Sequence, residues 1–389
     1  MRKVFVVGMV LLMCGTAFAE TRARFLFIGD IMVHDQQLDA AKSGDTYDFS
    51  PSFRRVKPLL QGKFLVGNLE TVLAGTGKQL KYAGFPFFNT PDVFTENLSN
   101  DLEVDLLTLA NNHIFDMGFA GARRTVQVLK SADIPCIGLG LDSIPSNDAI
   151  VLDNNGIRAA FINHSYGSNE QPRRNKPPLS TDVHLNVIAS RDIRQSMTRA
   201  KALSPDVIIA LFHWGNEYHF SPNVHQKRAA DWAFNEGATL IVGTHPHVLQ
   251  PVEVRKTSGD VKAVAWSLGN FVSFQRTLPR ERSIILAADF VKNDEGSTRL
   301  AGLGCVPLYV VAPGRKRTEV TYAGSEESVI EGLDFSGLSK SQVNNLRGIG
   351  RIVLDFLGAQ KVSDDYGYSV LWREESGDVL PMSRRKSPR

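Results

Sequence analysis

The chain has 389 residues, of which 43% are hydrophobic and 22% charged, and this composition excludes a disordered chain and a coiled-coil rod. With 32 glycines and 18 prolines it is also neither a collagen nor a low-complexity linker. The 44 basic and 41 acidic side chains give a formal net charge of +3, a balance that does not favour a nucleic-acid partner, and we expect none.

The first nineteen residues have the pattern of a secretory signal peptide. A short basic start at 2–3 is followed by an apolar run over 4–14 and by the small-x-small sequence Ala-Phe-Ala at 17–19. The apolar run is shorter than the about 20 residues that span a bilayer. We therefore expect an exported protein, periplasmic or extracellular, whose mature chain begins at Glu20.

Six apolar runs stop abruptly at polar residues. Continuous apolar runs are typical of strands that are buried on both faces, in sheets covered by helices. The carboxyl ends of such strands form the edge where open α/β sheets build their sites. The runs are Phe25–Ile28, Phe64–Val66, Leu106–Ala110, Val207–Phe212, Leu240–Val242 and Val264–Trp266. The polar side chains that follow them include Asp30, Glu70, His113, His213, His245 and His247.

Helices are predicted between several of these strands. A hydroxyl residue before a proline at the first helical position is a helix-start signal. It occurs at Ser50-Pro51, at Thr90-Pro91 and at Ser221-Pro222. The third of these helices is expected to continue to Phe234 and to close at Gly237.

Two hairpins make the predicted sheets mixed rather than purely parallel. Apolar stretches flank Asp-Asn-Asn-Gly at 153–156, which is a turn signal. Two more strands are expected around 256–260. Antiparallel pairs therefore join the parallel strands.

The chain divides into three segments in this interpretation. The signal peptide covers 1–19, the main domain covers 20–311, and a C-terminal extension covers 312–389. The extension contains a helical stretch around 343–356 and ends in a basic sequence at 383–389 that is typical of a disordered tail.

Two cysteines remain after the first nineteen residues, Cys136 and Cys305. Export permits a disulfide, but two cysteines are not a disulfide framework. Because both lie in apolar surroundings, we interpret them as small core side chains, and a disulfide between them stays open.

The carboxylates and histidines at the strand ends form a nitrogen and oxygen donor set without thiolate, to which Asn68 and Asn112 are possible additions. Such a set suits divalent manganese, iron, zinc or magnesium. His245 and His247 are held near each other by the intervening Pro246, which restricts the backbone. One bound ion would act as a Lewis acid and as a source of hydroxide, and a pair would clamp both oxygens of a displacement.

Several residues near these motifs have plainer interpretations. His34 is interpreted as a helix-start residue, and His219 and His225 as solvent or rim residues. Trp214 is interpreted as wall packing. His164 ends a strand, and a site role and a turn role are equally open for it.

Glu217 and Tyr218 lie in the same motif as His213. Both are candidates for lining the cleft. Packing is an equally good interpretation for Tyr218.

Six motifs stand in order between residues 24 and 275, about two thirds of the chain. They are Gly-Asp at 29–30, Gly-Asn-Leu-Glu at 67–70, Asn-Asn-His-x-x-Asp-x-Gly at 111–118, His-Trp-Gly-x-Glu-Tyr at 213–218, Gly-Thr-His-Pro-His-Val-Leu-Gln-Pro at 243–251 and Ser-Leu-Gly-Asn-Phe-Val at 267–272. Together they resemble the poly-γ-glutamate capsule biosynthesis family of the CapA type. That family is similar in fold to the calcineurin-like metallophosphoesterases. The resemblance implies an α/β fold in which two mixed β-sheets pack as a sandwich flanked by helices.

The resemblance also implies roles for individual residues. His113 would be the general acid beside the leaving group, and Asp116 would orient it. The site would hold one or two divalent ions of manganese, iron or zinc. The implied metal ligands are Asp30, Glu70, Asn112, His213, His245 and His247.

The chain departs from the phosphoesterase pattern at two places. Met32 stands where those enzymes have a histidine two residues after the first aspartate. Gly-Asn-Leu-Glu at 67–70 stands where they have Gly-Asp-x-x-Asp. One ligand of the two-metal site is therefore missing and another is altered.

Three functions follow from the resemblance and stay open at this stage, and with them whether the chain is an enzyme. The first is a metal-dependent hydrolase of a phosphoester or amide bond in a cell-envelope or capsule polymer. The second is a non-catalytic accessory component of poly-γ-glutamate synthesis, export or attachment, which would contact that machinery. The third is a polymer-binding module.

Overall fold

The computed structural model describes residues 20–77, 80–141, 148–169, 183–257, 260–312, 318–323, 335–360 and 368–374. Within these ranges the helices are α1 (Asp35–Ala41), α2 (Ser50–Phe53), α3 (Lys57–Leu60), α4 (Phe94–Asn100), α5 (Gly118–Ser131), α6 (Ser190–Ala202), α7 (Val224–Asn235) and α8 (Lys340–Leu357). The strands are β1 (Thr21–Ile31), β2 (Lys42–Ser43), β3 (Thr46–Tyr47), β4 (Phe64–Leu69), β5 (Leu106–Thr108), β6 (Cys136–Ile137), β7 (Leu139–Leu141), β8 (Ile150–Asn154), β9 (Ile157–Ser165), β10 (Val183–Leu185), β11 (Val207–His213), β12 (Leu240–Thr244), β13 (Val252–Thr257), β14 (Asp260–Ala265), β15 (Asn270–Val272), β16 (Arg282–Lys292), β17 (Thr298–Val311), β18 (Glu319–Tyr322) and β19 (Ser369–Arg373). None of the helices in the described ranges is long and apolar enough to cross a membrane.

Two large sheets organise the molecule, and both are mixed. The first has the order β18-β17-β16-β1-β4-β5-β6, with β15 beside β1 and β19 beside β17. In it β1, β4, β5 and β6 run parallel, whereas β16 and β17 are antiparallel. The second has the order β13-β14-β12-β11-β9-β8, with a parallel centre and antiparallel edges.

The sheets pack face to face, with helices on both outer surfaces. Phe25 and Phe27 of β1 meet Phe161 and Leu211 of the second sheet in the inner core. Helices α1 to α5 cover the outer face of the first sheet, and α6 and α7 cover that of the second. Burying each large apolar side chain stabilises this arrangement by roughly 1.5–3 kcal/mol. The predicted sandwich of two mixed sheets flanked by helices is confirmed.

The six predicted apolar runs are the strands β1, β4, β5, β11, β12 and β14. They lack polar alternation because each lies in a sheet that is covered on both faces. The register brings their polar ends together. Asp30 pairs with Asn68 on one side and with Asn270 on the other, and His213 pairs with Thr244.

Two of the predicted helix starts lie too early. Helix α7 begins at Val224, because the side chain of Asn223 caps it by accepting from the amide of Gln226. Helix α4 begins at Phe94, because a tight turn with bonds between residues three apart comes first, such as the one from the Phe94 amide to the Pro91 carbonyl. Local cap chemistry therefore moved both starts by a few residues.

Both predicted hairpins are present. Strands β8 and β9 are joined through Asn155 and Gly156, whose φ angles of 50° and 81° suit a tight two-residue turn. Strands β13 and β14 pair antiparallel, with Lys256 opposite Val261.

The described part of the C-terminal extension packs on the first sheet. Strands β18 and β19 both pair with β17, and α8 places Leu346, Ile349 and Val353 in the inner core. The predicted helix over 343–356 is α8, which Ser339 caps at its start. The division of the chain at 311 stays a prediction, and the basic end at 383–389 lies outside the described residues.

No disulfide joins Cys136 and Cys305. Cys305 is fully buried in the inner core, and Cys136 packs against the outer core of the first sheet. Their interpretation as core side chains is confirmed.

Candidate metal centre

Strand ends from both sheets meet at one edge of the sandwich, and five of the predicted ligand residues converge there. Asp30 is the second-last residue of β1, and Glu70 directly follows β4. His213 ends β11, and His245 and His247 follow β12. All five side chains are buried.

Glu70 stands at the centre of this cluster. Its Oε1 lies 3.6 Å from His213 Nε2 and 3.9 Å from His247 Nε2. The Nδ1 atom of His247 lies 3.2 Å from Asp30 Oδ2. Three groups of residues each offer ligand atoms within 4.8 Å of one another. They are Glu70 with His213 and His245, Asp30 with Glu70 and His247, and Glu217 with His245 and His247.

Two buried polar atoms in the cluster have no hydrogen-bond partner, Glu70 Oε1 and His245 Nδ1. A buried polar atom without a partner costs about 1–3 kcal/mol, and more when it is charged. A cation that accepted lone pairs from the cluster would remove that cost. The oxygen and nitrogen donors are those that manganese, iron and zinc take, so the residues present fit a divalent metal.

The electrostatics of the cluster also suit a cation. Burial lowers the pKa of His245 to about 3 and holds the pKa of His213 well below its usual range, so both rings are neutral and keep a lone pair. Burial, together with the adjacent Asp30 carboxylate, raises the pKa of Glu70 well above its usual range. Burial acts in the same direction on Asp30, but the hydrogen bonds and charge interactions with His247, Asn68 and His245 together outweigh it, so the pKa of Asp30 is lowered.

Polar neighbours fix the orientation of the ligands. The Asn68 amide donates to Asp30 Oδ1 over 2.8 Å. On His247, Nδ1 lies 2.9 Å from Asn270 Oδ1. Such outer partners set the tautomer and the angle of a ligand ring.

His213 has a neighbour at each ring nitrogen. Its Nδ1 lies 3.0 Å from Thr244 Oγ1, and its Nε2 lies 2.7 Å from Asn112 Oδ1. Asn112 is therefore at the cluster, in contact with a predicted ligand, and its own role as a ligand stays a prediction.

The turn that carries two of the histidines is strained. His245 and His247 have φ angles of 94° and 56°, in the left-handed region, which costs a non-glycine residue of order 1–3 kcal/mol. Two hydrogen bonds hold the turn. The His245 amide donates to Asp30 Oδ2 over 3.3 Å, and the Tyr218 amide donates to the Pro246 carbonyl over 2.7 Å.

His113 and Asp116 form the predicted pair beside the cluster. His113 Nδ1 lies 2.7 Å from Asp116 Oδ2, which also accepts from the Phe88 amide over 2.7 Å. The Phe88 ring stands perpendicular to the imidazole, with 4.7 Å between the ring centroids. The contact by which Asp116 would orient His113 is present, and the acid role itself stays a prediction.

His164, His34, His219 and His225 belong to none of the three ligand groups. The ring of His164 lies 2.9 Å from the Val187 carbonyl and 3.1 Å from Ser196 Oγ, so it is structural. His34 caps the start of α1, as predicted. His219 and His225 are both exposed.

Trp214 is part of the wall behind the site. Its Nε1 donates to the Trp266 carbonyl over 2.9 Å, and the side chain is buried. Met32 is buried too, and its amide donates to the Val272 carbonyl over 2.9 Å. Neither side chain contributes a donor to the cluster.

Sequence reasoning missed several residues around the cluster. Tyr166 has its ring 4.6 Å from that of His245 and is half exposed. Asn169 accepts from the Asn112 side chain and lies 3.5 Å from His113 Nε2. Tyr166 follows the end of β9 and was detectable by its place after a strand, whereas no local pattern marks Asn169.

The fold and the cluster together define an α/β sandwich protein with a carboxylate–histidine centre of the kind that binds divalent metal ions. The chain matches the family described as "Bacterial capsule synthesis protein PGA_cap" over residues 24–275, and it belongs to that family. The resemblance predicted from the ordered motifs is therefore confirmed.

Three relatives agree with this membership. The chain is 29% identical to the capsule biosynthesis protein CapA of Bacillus anthracis, over 73% of this chain and 66% of that protein. It is 27% identical to the PGA biosynthesis protein CapA of Bacillus subtilis, over 69% of this chain and 68% of that protein. It is 25% identical to a "Probable polyglutamine synthesis accessory protein" of Mycobacterium tuberculosis, over 62% and 65%. The matches to the first and third relatives span just under two thirds of those proteins, and the match to the second just over.

Two solved structures are similar to the chain. A hypothetical protein from Thermus thermophilus has a TM-score of 0.40 and 16% identity, over 73% of this chain and 98% of that one. A 5'-nucleotidase from Candida albicans has a TM-score of 0.44 and 10% identity, over 88% of this chain and 61% of that one. The assignment of the fold rests on the two sheets and the helical layers themselves.

Proposed function

We propose that the protein is a metal-dependent hydrolase that cleaves a phosphoester or amide bond of a capsule or cell-envelope polymer. The observation that carries the proposal is the buried cluster around Glu70, whose Oε1 has no hydrogen-bond partner among the described residues and lies 3.6 Å from His213 Nε2 and 3.9 Å from His247 Nε2. Family membership in capsule synthesis supports a polymer substrate, with poly-γ-glutamate as the first candidate.

The ligand residues would be Asp30, Glu70, Asn112, His213, His245 and His247, with Glu217 as an additional donor. A divalent ion held there supplies a Lewis acid and lowers the pKa of a bound water. The remaining steps belong to the chain. His113, protonated at both ring nitrogens, donates the proton at Nε2 to the leaving atom, while Asp116 accepts from Nδ1 and keeps the ring oriented. Tyr166, over His245, shields the cluster from bulk water.

Metal binding tests the proposal directly. Chelator-treated protein is titrated with Mn²⁺, Fe²⁺ or Zn²⁺ by calorimetry. We expect binding by the wild type and its loss in Glu70→Gln and His245→Ala. The control His225→Ala removes an exposed histidine on α7 and leaves affinity unchanged. A wild type that stays metal-free, or equal affinities in all four proteins, contradicts the proposal.

Turnover separates the hydrolase from the alternative, a non-catalytic accessory or polymer-binding component of poly-γ-glutamate synthesis or export. The Mycobacterium tuberculosis relative, whose name describes it as an accessory protein, favours that alternative. A γ-linked glutamate oligomer and a nitrophenyl phosphodiester are the substrates to test. Metal-dependent cleavage of either supports the hydrolase. Oligomer binding without cleavage, unaffected by chelator, supports the accessory role and contact with the synthesis or export machinery.

We also propose that the protein is exported and acts in the periplasm or outside the cell. The signal sequence at 1–19, which lies outside the described residues, supports this. Amino-terminal sequencing of the mature protein is expected to begin at Glu20. Material from the cell exterior that still carried residues 4–12 would contradict it.

A further inference from the structure

Arg280 and Tyr218 form a stacked pair at the open side of the cluster. The guanidinium carbon of Arg280 lies 3.5 Å from the centroid of the Tyr218 ring. That ring lies 6.0 Å from the ring of His247, and Tyr218 is 37% exposed. The pair therefore lies between the buried ligands and solvent.

The protein fixes both partners to the turn that carries His247. The Arg280 carbonyl accepts from Asn270 Nδ2 over 3.1 Å, and Asn270 Oδ1 lies 2.9 Å from His247 Nδ1. From the other side, the Tyr218 amide donates to the Pro246 carbonyl. The backbone of Arg280 is thus anchored beside the candidate metal ligands.

In the part of the chain that the structure describes, no carboxylate pairs with Arg280. Its neighbour Glu281 is already occupied, since Arg276 pairs with it over 2.9 Å and the Tyr309 hydroxyl donates to it over 2.7 Å. Among the described residues, the Arg280 guanidinium makes no ion pair and no side-chain hydrogen bond. A stacked arginine uses its face for the ring and keeps the N–H donors on its edge, which match a carboxylate or phosphate in fork geometry.

We propose that Arg280, supported by Tyr218, binds an anionic group of the substrate and determines specificity for a charged polymer. The proposal rests on the proposed function, because the cluster next to it is where the bond would be cleaved. The recognised group is a carboxylate or a phosphate, which share this chemistry.

Binding by the full chain, both chelated and loaded with Mn²⁺, tests the proposal. The probes are a γ-linked glutamate hexamer, its side-chain methyl ester, and inorganic phosphate. Arg280→Gln is expected to weaken binding of the acidic probe about tenfold or more, since a hydrogen bond to a charged group contributes about 1.5–3 kcal/mol. Arg280→Lys keeps the charge without the fork and is expected to fall between wild type and Arg280→Gln.

The matched control is Arg255→Gln. Arg255 also stacks on an aromatic ring, that of Phe234, but on the edge strand β13. The Arg255→Gln protein is expected to bind every probe with the affinity of the wild type. The methyl ester is expected to bind weakly, and with the same affinity to wild type and Arg280→Gln. A merely structural role of Arg280 would instead lower the affinity for both the acid and the ester.

The probes also identify the anion. Loss of hexamer binding assigns a carboxylate, and loss of phosphate binding assigns a phosphate. Equal affinities of wild type and Arg280→Gln for both anions, or a wild type that binds neither, overturn the proposal. Metal affinity, measured on the same proteins, is unchanged by Arg280→Gln, so a failure of the metal site is recognised separately.

Discussion

The two central carboxylates, Asp30 and Glu70, lie in the same buried cluster but have different partners. Asp30 accepts hydrogen bonds from Asn68 and from the backbone of His245, and it lies beside His247. Glu70 has one oxygen without any partner. The pKa of Glu70 is accordingly raised well above its usual range, and a cation would compensate the charge of its ionised form.

Replacing Glu70 with glutamine is expected to separate metal binding from stability. In metal-free protein the melting temperature of Glu70→Gln should equal or exceed that of the wild type, because glutamine avoids the cost of burying an acidic group whose pKa is raised. With Mn²⁺ added, only the wild type should gain stability. Differential scanning fluorimetry with chelator and with metal measures both.

Asp289→Asn provides the control for that experiment. Asp289 pairs with Arg24 over 2.6 Å, far from the cluster, so this variant should lose stability with and without metal while keeping the metal-induced gain. A Glu70→Gln protein that retains the gain would show that Glu70 is not a ligand.

His113→Ala is expected to keep metal content and melting temperature near those of the wild type but to lose turnover by about 10²–10⁴-fold. The loss should be larger for a poor leaving group than for a good one, because only a poor one needs the proton. Asp116→Asn should show a smaller loss of turnover of the same kind. His113 would keep its place but would lose the carboxylate that accepts from its Nδ1. Equal loss for both leaving groups, or loss of metal, rules out the acid role.

At the scale of elements, strand packing rather than loop flexibility determines where the ligands sit. Gly243 of β12 precedes the His245 turn, and a side chain there would collide with the Trp266 carbonyl and with Trp214 Nε1. The close approach of β12 to β14 holds the turn against Asp30. The strain at His245 persists because these contacts surround it.

Gly243→Ala is accordingly expected to lower the free energy of unfolding by about 1–3 kcal/mol and to weaken metal binding, because β12 must move away from β14. Urea denaturation and calorimetry measure the two effects. Gly348→Ala is the control, since an added methyl group in α8 meets nothing within 4 Å and alanine favours a helix by up to about 1 kcal/mol. It should be neutral or stabilising. If Gly243→Ala were as stable and bound metal as well as Gly348→Ala, the spacing of β12 and β14 would not determine the geometry of the site.

At the scale of the whole molecule, buried histidines link stability to pH. Burial lowers the pKa of His164 to about 4 from its usual 6.5, and it lowers that of His34 to about 4 as well. As pH falls below 6.5, the unfolded chain takes up these protons before the folded chain does. Folding stability is therefore full above pH 6.5 and decreases as the pH approaches 4.

Urea denaturation of chelated protein at pH 7 and pH 5 measures this dependence. His164→Gln should be less stable at pH 7, because it loses packing and hydrogen bonds, but its stability should change less between the two pH values. The free energy of unfolding should change with pH less steeply in His164→Gln than in the wild type, by at most about 1.4 kcal/mol per pH unit. Exposed His225→Ala should keep the wild-type slope. If the stability of His164→Gln changed with pH as steeply as that of the wild type, His164 would not be a source of the pH dependence.

Much of the fold and half of the site were predictable because their signals are local. A strand buried on both faces is apolar at every position, so β1, β4, β11 and β12 stand out in the sequence, and so do the polar residues that end them. The shared edge then follows from parallel pairing. Helix starts were predicted less well, since the turn before Phe94 and the cap at Asn223 depend on neighbouring hydrogen bonds.

The tertiary structure alone decided which strand-end residues face the cluster and which face away. Successive side chains of β9 point to opposite faces, and this places His164 against Ser196 of α6, so it is structural. Asn169 and Arg280 reach the site through contacts between distant parts of the chain, which no periodicity records. The sequence by itself determined the sheets, the family and the donor types. Long-range packing decided the geometry, because the distances between ligands depend on how two sheets meet.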